Sequence, residues 1–314
     1  MRVLVVGAGV IGLSCAVRLR EADYDAHVLA RDLPLETTSA VAAALWYPYR
    51  ALPRNRVAAW SRTTYDELAR ISVEEPDAGV RMRWGSELLR SQLGEPWWRA
   101  ALPDPHGVHV LGDAAAGYAA AWRVQVPVAD TSIYLPWLLR RLEALGGTAT
   151  RAWLPALPDH GVVVNCAGLM AGRLAHDGSM RPVRGQVLYL EQIGVTEWWL
   201  DQGEDSQLTY IVPREHDIVV GGTAEEGSYD VRPDIGTARR ILQRAAALVP
   251  ALAHAPPRAH RVGLRPGRPA VRLESVRHAG GGVVHCYGHG GAGVTLSWGC
   301  ADDVVAEVGA LVGS

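Results

Sequence analysis

Two glycine-rich segments lie near opposite ends of this 314-residue chain. The first, Gly7-x-Gly9-x-x-Gly12, follows an apolar run at residues 2–6 and precedes a stretch with apolar residues at helical spacing. In a strand–turn–helix unit, such glycines let the backbone approach a pyrophosphate closely, and the N-terminus of the helix stabilises the negative charge. The spacing therefore predicts a nucleotide-binding site, the alternative being a tight turn without a ligand.

The second glycine-rich segment runs from His285 to Thr295 and also leads into a helix. Its composition again lets backbone N–H groups approach a ligand. One long ligand held at both ends would explain two such loops so far apart in sequence. FAD, with a diphosphate at one end and a flavin ring at the other, is a ligand of this kind.

The position for a ribose-binding residue is occupied by Arg31-Asp32. A carboxylate about 20 residues after the glycine motif commonly binds ribose hydroxyls, whereas an arginine accommodates the 2′-phosphate of NADP. Asp32 fits the first pattern and Arg31 fits the second. This motif by itself leaves FAD and a nicotinamide cofactor open.

An arginine-rich stretch and a strand tyrosine could recognise a carboxylate. Arg261, Arg265, Arg268 and Arg272 flank two prolines that exclude a helix. A planar guanidinium binds a carboxylate in a bidentate manner, as an amino-acid substrate requires, although structural ion pairs would explain the same pattern. Tyr210 begins a strand-like run and could donate to that carboxylate or pack in the core.

Histidine and cysteine spacing predicts no metal site. His285 and His289 flank a glycine loop without an acidic partner nearby. None of the cysteines forms a CxxC pair, so we expect buried free thiols in a reducing compartment. The cysteines are Cys15, Cys166, Cys286 and Cys300.

Composition excludes several classes of protein. The chain has 31 basic residues, all arginine, and 33 acidic residues, a net charge of −2, so nothing favours nucleic acid or an anionic membrane. No apolar run reaches the roughly 18 residues of a membrane span, and no signal peptide is evident. We expect a cytoplasmic protein with about two domains.

The periodicity predicts an α/β fold in which a Rossmann-like domain is interleaved with a smaller α+β substrate domain built on an antiparallel sheet. Because the Rossmann-like domain carries both glycine loops, we interpret it as the FAD-binding domain. The predicted strands are 2–6, 26–30, 161–168, 183–190, 208–213, 217–222 and 283–287. The predicted helices are 10–22, 55–71, 131–145 with Thr131 or Ser132 as cap, 236–248 and 294–312. The FAD-binding domain is assigned to 1–50, 131–180 and 262–314, and the substrate domain to 51–130 and 181–261.

Four segments of the chain resemble the D-amino-acid oxidase family, within the FAD-dependent amine oxidases. They are Gly7–Gly12, Thr37–Trp46, Val164–Gly168 with Arg184–Gln186, and Arg265–Pro269 with the closing loop up to Ala301. The resemblance implies oxidation of neutral D-amino acids by hydride transfer from Cα to flavin N5. The products would be a 2-oxo acid, ammonia and, once oxygen reoxidises the flavin, hydrogen peroxide.

The resemblance also implies roles for individual residues. Arg265 would grip the substrate carboxylate, Tyr210 would donate to it, and the carbonyl of Gly291 would accept from the substrate amine. The side-chain pocket would be lined by Leu45, Tyr47, Tyr49 and Val212. The cofactor would contact Gly7, Gly9, Val10, Ile11, Gly12, Arg31, Asp32, Thr38, Ser39, Ala43, Ala44, Leu45, Gly290, Gly293, Val294 and Thr295.

Three features depart from the family pattern. Cys286 stands where Asn, His or Ala is usual, and Arg31-Asp32 reverses the common order. The segment Gly203–Thr209 is short and lacks a lid tyrosine. The resemblance with this departure predicts an open or minimal lid and product release without a slow loop opening.

Several alternatives remain open at this stage. A D-aspartate oxidase would need a cation facing the substrate side chain, for which Arg50 and Arg214 are candidates, although the predicted wall is apolar or aromatic. A glycine or sarcosine oxidase, an NAD(P)-dependent reductase and a nucleotide-binding regulator without turnover are the others. The predicted partners are a D-amino acid and oxygen, in a monomer or homodimer.

Overall fold

The computed structural model describes residues 1–91, 94–104, 107–112, 117–203 and 208–313. Residues 204–207 of the segment predicted to form a minimal lid lie outside this range, so that expectation stays a prediction. Among the described residues, no helix combines the length and the apolar character needed to cross a membrane.

The described elements alternate between strands and helices along much of the chain. The strands are β1 (Arg2–Val6), β2 (Asp25–Ala30), β3 (Val80–Leu89), β4 (His109–Gly112), β5 (Ala120–Ala129), β6 (Thr148–Arg151), β7 (Gly161–Asn165), β8 (Arg181–Glu191), β9 (Trp198–Asp201), β10 (Thr209–Pro213), β11 (Asp217–Gly221), β12 (Glu225–Glu226), β13 (Pro257–Gly267), β14 (Arg272–His278) and β15 (Gly281–Tyr287). The α-helices are α1 (Val10–Glu21), α2 (Arg54–Glu74), α3 (Thr131–Ala144), α4 (Met170–Leu174), α5 (Ile235–Leu248) and α6 (Gly293–Val312). Short 3-10 helices include Pro34–Glu36 and Thr38–Val41.

Sheet A is the parallel sheet predicted for the nucleotide-binding half. Its strand order is β14-β15-β7-β1-β2-β6, and only the edge pair β14–β15 is antiparallel. The central strand β1 is apolar because both faces of a parallel sheet are covered: Val5 and Val6, which project to opposite faces, are both buried. Helices α1, α3 and α6 pack against one another, with α1 directly connecting β1 to β2.

Sheet B is a larger and mostly antiparallel sheet with the order β12-β8-β11-β10-β9-β3-β5-β4, and β13 pairs with β8. Successive side chains of β10 project to opposite faces of sheet B, so this strand contributes both to a hydrophobic core and to a cavity. Ile211 packs in the cluster that α5 covers, whereas Tyr210 and Val212 face the opposite side and line a cavity.

The predicted fold class is confirmed, and the predicted elements agree with the observed bounds within a few residues. One detail was wrong: α3 is capped by Asp130 and not by Thr131 or Ser132. The Asp130 carboxylate accepts a hydrogen bond from the Ser132 amide at 3.0 Å, because it precedes the first helical turn and reaches a free N–H. The proposed domain division places a boundary at residue 262, which falls inside β13.

Candidate active site

A cavity of about 670 Å³ extends along the carboxyl ends of the sheet A strands to one face of sheet B. The edge beyond the carboxyl ends of parallel strands is where ligands bind in open α/β sheets. Most residues named from the sequence line this cavity: Gly7, Gly9, Val10, Ile11, Arg31, Asp32, Thr38, Ser39, Ala43, Ala44, Leu45, Tyr47, Tyr49, Tyr210, Val212, Arg265, Gly290, Gly291, Gly293 and Val294. Gly12 and Thr295 lie behind its wall.

The first glycine turn has the geometry of a phosphate-binding loop. Gly7 has φ of +114°, which favours glycine, and a Cβ there would lie 2.4 Å from the carbonyl oxygen of Cys166. A Cβ on Gly12 would lie 1.9 Å from the carbonyl oxygen of Gly7, so this glycine permits close packing of α1. At the N-terminus of α1, the Val10 amide donates to Ser39 Oγ at 3.1 Å. These residues would fit a diphosphate.

Arg31 and Asp32 pair with each other at the end of β2. Arg31 Nε donates to Asp32 Oδ1 at 2.9 Å, and both residues line the cavity. With its charge compensated by Asp32, Arg31 is less suited to bind a 2′-phosphate than it seemed from the sequence alone. The carboxylate of Asp32 keeps free lone pairs for ribose hydroxyls.

The closing glycine loop forms the other end of the cavity. Gly288 and Gly290 have φ of +83° and +55°, and the Gly290 amide donates to the Pro266 carbonyl at 2.9 Å. This contact joins the loop to β13. The loop then enters α6, whose N-terminal residues Gly293 and Val294 line the cavity. The positive ends of α1 and α6 therefore both face the same space, as a long anionic cofactor requires.

Arg265 presents its guanidinium to the cavity from β13. Its Nη1 donates to the Thr223 carbonyl at 2.8 Å. Within the described residues, no carboxylate lies within ion-pair distance of Arg265. A half-buried cation without a carboxylate partner favours an anionic ligand group.

The Arg265 side chain lies directly over a glycine of the neighbouring strand. A Cβ on Gly185 would lie 2.4 Å from both terminal nitrogens of the guanidinium. In the sequence, Gly185 stands out only as part of Arg184–Gln186, one of the segments that resemble the D-amino-acid oxidase family. Gly185 leaves room for the Arg265 side chain because β8 pairs with β13, and no local sequence pattern reveals this pairing.

Tyr210 packs against another glycine, on the neighbouring strand β11. Gly221 is its cross-strand partner, and a Cβ there would lie 2.1 Å from Tyr210 Cζ. Burial raises the pKa of Tyr210, and the nearby charge of Arg265 partly opposes this shift. The phenol therefore stays protonated at neutral pH and can donate a hydrogen bond beside Arg265.

The predicted side-chain pocket has apolar and aromatic walls. Leu45, Tyr49 and Val212 line it, and so do Leu200 of β9 and Leu208, which precedes β10. These last two were not named from the sequence, because an isolated leucine carries no signal that distinguishes a pocket from a core.

Tyr47, the fourth predicted wall residue, is fixed on two sides. Thr295 Oγ1 accepts from the Tyr47 amide and donates to the Tyr47 carbonyl, both at 3.0 Å. The Tyr47 hydroxyl donates to Glu87 Oε1 at 2.8 Å. Thr295 thus positions the pocket wall from behind and does not face the cavity.

Neither arginine considered for a side-chain carboxylate lines the cavity. Arg214 pairs bidentately with Asp217 at 2.6 Å and lies 3.4 Å from Asp130. The Arg50 guanidinium lies over the Tyr49 ring, 5.2 Å from its centroid. Of the arginines in the described part of the chain, Arg31 and Arg265 are the ones on the cavity wall.

The cysteines converge behind the glycine loops as free, buried thiols, as predicted. Cys15, Cys166 and Cys286 have their sulfur atoms within 4.8 Å of one another, and Cys286, His289 and Cys300 form a second group of the same size. Cys166 and Cys286 form part of the cavity wall. His285, in contrast, contacts Asn165 and not this cluster.

The chain matches the family model described as FAD dependent oxidoreductase over residues 2–307. It is 48% identical to a D-amino-acid oxidase of Rubrobacter xylanophilus, covering 99% of this chain and 97% of that protein. It is 41% identical to a D-amino-acid oxidase of Streptomyces coelicolor, with coverage of 96% and 94%. Glycine oxidase from Bacillus cereus has a similar structure, with a TM-score of 0.82, 17% identity and coverage of 98% and 95%.

The chain belongs to the FAD-dependent oxidoreductase family. Membership resolves the ambiguity at Arg31-Asp32 in favour of FAD. The cavity independently supports this cofactor, since two helix N-termini and two glycine loops line the same cavity.

Proposed function

We propose that this protein is an FAD-dependent oxidase of D-amino acids with neutral side chains, which forms a 2-oxo acid, ammonia and hydrogen peroxide. The names of its relatives support the reaction. The observation that carries the proposal is the guanidinium of Arg265, which faces the cavity beside the Tyr210 phenol without a carboxylate partner among the described residues.

The proposed roles follow from this arrangement. Arg265 binds the substrate carboxylate, and Tyr210 donates a further hydrogen bond to it. The carbonyl of Gly291, on the closing loop, accepts from the substrate amine. When bound, FAD supplies the acceptor for the Cα hydrogen and its electron pair, and oxygen takes up the electrons afterwards.

The contribution of these residues is orientation. The contacts at the carboxylate, the contact at the amine and the pocket around the side chain fix three substituents of Cα, so the fourth, hydrogen, points in one direction. Holding reactants in this way can lower a barrier by several kcal/mol. The same three-point arrangement would present the hydrogen of an L-amino acid to the wrong side.

The wall of the side-chain pocket supports neutral substrates. Leu45, Leu200, Leu208 and Val212 offer no partner to a second carboxylate. Burying an unpaired carboxylate is costly, so D-aspartate is expected to be a poor substrate. Glycine and sarcosine would leave the pocket unfilled and lose the free energy of apolar contact.

The first test is the visible spectrum of the purified protein under anaerobic conditions, before and after addition of D-methionine. We expect an oxidised flavin spectrum that bleaches with D-methionine and not with L-methionine. A flavin spectrum that no D-amino acid changes would contradict the proposed activity, and a colourless protein would contradict the proposed cofactor.

A substrate panel then tests the proposed selectivity. Peroxide formation would be measured with D-alanine, D-methionine, D-aspartate and sarcosine at equal concentrations. We expect kcat/KM to be highest for D-methionine or D-alanine. A preference for D-aspartate would overturn the choice of neutral side chains while leaving the reaction itself in place.

A further inference from the structure

The segment between β11 and α5 reaches the cavity although it contains almost no regular structure. Within residues 222–234, the strand residues are Glu225–Glu226, which form the short β12. Tyr229 and Val231 line the cavity, yet these residues are 67% and 58% exposed. A segment with so little packing of its own needs other contacts to keep one conformation.

A buried arginine on the neighbouring strand provides such contacts. Arg184 of β8 is 4% exposed. Its Nε donates to the Asp230 carbonyl and its Nη2 to the Arg232 carbonyl, both at 2.8 Å. Its Nη1 donates to the Glu225 carboxylate at 2.7 Å, which balances the buried charge. The guanidinium thus joins three points of the segment, as its planar fork of donors allows.

Gln186, two residues further along β8, binds both ends of the same segment. Its side-chain Nε2 donates to the Asp234 carbonyl at 2.7 Å, and its Oε1 accepts from the Asp234 N–H at 2.9 Å. The backbone N–H of Gln186 donates to Thr223 Oγ1 at 3.0 Å. Thr223 lies two residues after β11, and Asp234 caps the N-terminus of α5. Arg184 and Gln186 therefore fix the segment at its beginning, its middle and its end.

The segment in turn contacts the residue proposed to bind the substrate carboxylate. Side chains alternate along a strand, so Arg184 and Gln186 project to the face opposite Gly185. On the cavity face, Gly185 leaves space for the Arg265 guanidinium, whose Nη1 donates to the Thr223 carbonyl at 2.8 Å. A shift of Thr223 would therefore turn this guanidinium away from its present orientation.

Resting on the proposed function, we propose that Arg184 and Gln186 are positioning residues for substrate binding. They hold residues 222–234 in place, and the Thr223 carbonyl then fixes the guanidinium of Arg265 in the orientation that receives the substrate carboxylate. Bidentate binding depends on the plane of the guanidinium, so a small rotation weakens it. Neither Arg184 nor Gln186 lines the cavity, so both act through Arg265 and not on the substrate directly.

A purely structural role would have different consequences. If the two residues only stabilised the fold, their loss would lower the free energy of unfolding, and the affinities for flavin and substrate would fall together. If they act through Arg265, the affinity for substrate falls while the flavin stays bound, since neither residue belongs to the glycine loops that would hold the cofactor.

The test compares KM, kcat and flavin content for the wild-type holoenzyme and Arg184→Lys, with D-methionine as substrate. Lysine keeps the charge opposite Glu225 but does not reproduce the planar fork that reaches the Asp230 and Arg232 carbonyls. We expect KM to rise at least about tenfold, with a smaller change in kcat and the same flavin content. Arg232→Lys, at an exposed side chain of the same segment, is the matched control and should change neither constant.

A double-mutant cycle identifies the route of the effect. In the Arg265→Ala background the orientation of the guanidinium no longer matters, so adding Arg184→Lys should change kcat/KM by less than about twofold. Should Arg184→Lys fail to fold, Thr223→Val takes its place. This variant removes the hydroxyl that accepts from the Gln186 N–H, keeps the carbonyl, and should raise KM about threefold or more.

Three outcomes would overturn the inference and leave the proposed oxidase activity standing. The first is an unchanged KM in Arg184→Lys or, where that variant does not fold, in Thr223→Val. The second is a loss of flavin in parallel with the rise in KM, and the third is a full, independent effect of Arg184→Lys in the Arg265→Ala background. If no D-amino acid, D-methionine included, reduces the flavin, the proposed function fails and this inference fails with it.

Discussion

Gly185 lies against the guanidinium of Arg265 so closely that a single methyl group at residue 185 would lie 2.4 Å from both of its terminal nitrogens. Neither residue is near the other in sequence. They meet because β8 and β13 pair over nearly their full lengths. The position of the proposed carboxylate-binding cation is thus set by the absence of a side chain on the next strand.

Gly185→Ala should impair substrate binding and leave the cofactor bound. The added methyl group must displace the Arg265 guanidinium, because the backbone of the strand pair is fixed by its hydrogen bonds. We expect KM for D-methionine to rise at least about tenfold. Gly178→Ala is the matched control, since a Cβ there meets no atom within 4 Å. An unchanged KM in Gly185→Ala would show that Arg265 does not bind the substrate from its position against Gly185.

Arg265→Ala should remove most substrate affinity while the protein keeps its flavin. Removing one partner of a partly desolvated charge pair typically costs about 2–5 kcal/mol, or roughly 30-fold to several thousandfold in kcat/KM. KM and flavin content would be measured together, with Arg258→Ala, an exposed residue of the same strand, as control. Retained KM in Arg265→Ala would refute the assigned role.

Tyr210→Phe should have a smaller effect than Arg265→Ala. The variant keeps the ring in its seat over Gly221 and removes one hydrogen bond near a charge, which is worth about 1–3 kcal/mol. Because the pKa of Tyr210 is raised, its donor is present at neutral pH and is lost only as pH rises above the ordinary tyrosine value of about 10. The wild-type advantage over Tyr210→Phe should therefore be constant near neutrality and shrink at high pH. An equal kcat/KM in the two proteins at pH 8 would exclude a hydrogen bond from Tyr210.

Asp177→Asn should destabilise the protein in a pH-dependent way. Asp177 accepts from Arg268 at 2.9 Å, from the Tyr287 hydroxyl at 3.0 Å and from the Ser179 amide at 2.9 Å. Burial alone would raise the pKa of Asp177, but the hydrogen bonds from Ser179, Arg268 and Tyr287 lower it well below its usual range. We expect a loss of roughly 1–3 kcal/mol in the free energy of unfolding at pH 7.

The sign of this dependence follows from proton binding. The unfolded carboxyl takes up a proton near its ordinary pKa of about 3.9, whereas the folded one resists protonation to lower pH. The stabilisation is therefore complete above about pH 5 and fades as pH falls below about 4. Denaturant unfolding at pH 7 and pH 3 would measure it, with the exposed Asp66→Asn as control. A gap between wild type and Asp177→Asn that widens in acid would contradict this account.

Local patterns predicted most of the secondary structure because each signal is contained in a few residues. The apolar run before Gly7 and the helical spacing after it gave β1 and α1 nearly to the residue. The cap of α3 was assigned wrongly, since Thr131, Ser132 and Asp130 are all capping residues and the sequence does not show which one adopts the extended conformation.

The sequence predicted those parts of the candidate site in which the residue type or the motif spacing by itself suggests a function. Arg265, Tyr210 and the glycine loops have chemistry that can be read from the chain. Gly185 and the carbonyl of Thr223 were missed because their roles arise from contacts between distant strands.

The four cysteines differ in how a thiol reagent could reach them. Cys166 and Cys286 form part of the cavity wall, whereas Cys15 and Cys300 are fully buried behind them. A thiol-labelling reagent could approach Cys166 and Cys286 only through the space that the cofactor would fill. It could reach Cys15 and Cys300 only after local unfolding of the structure around them. Counting labelled cysteines over time would thus distinguish a molecule that has lost its flavin from one that has lost its fold.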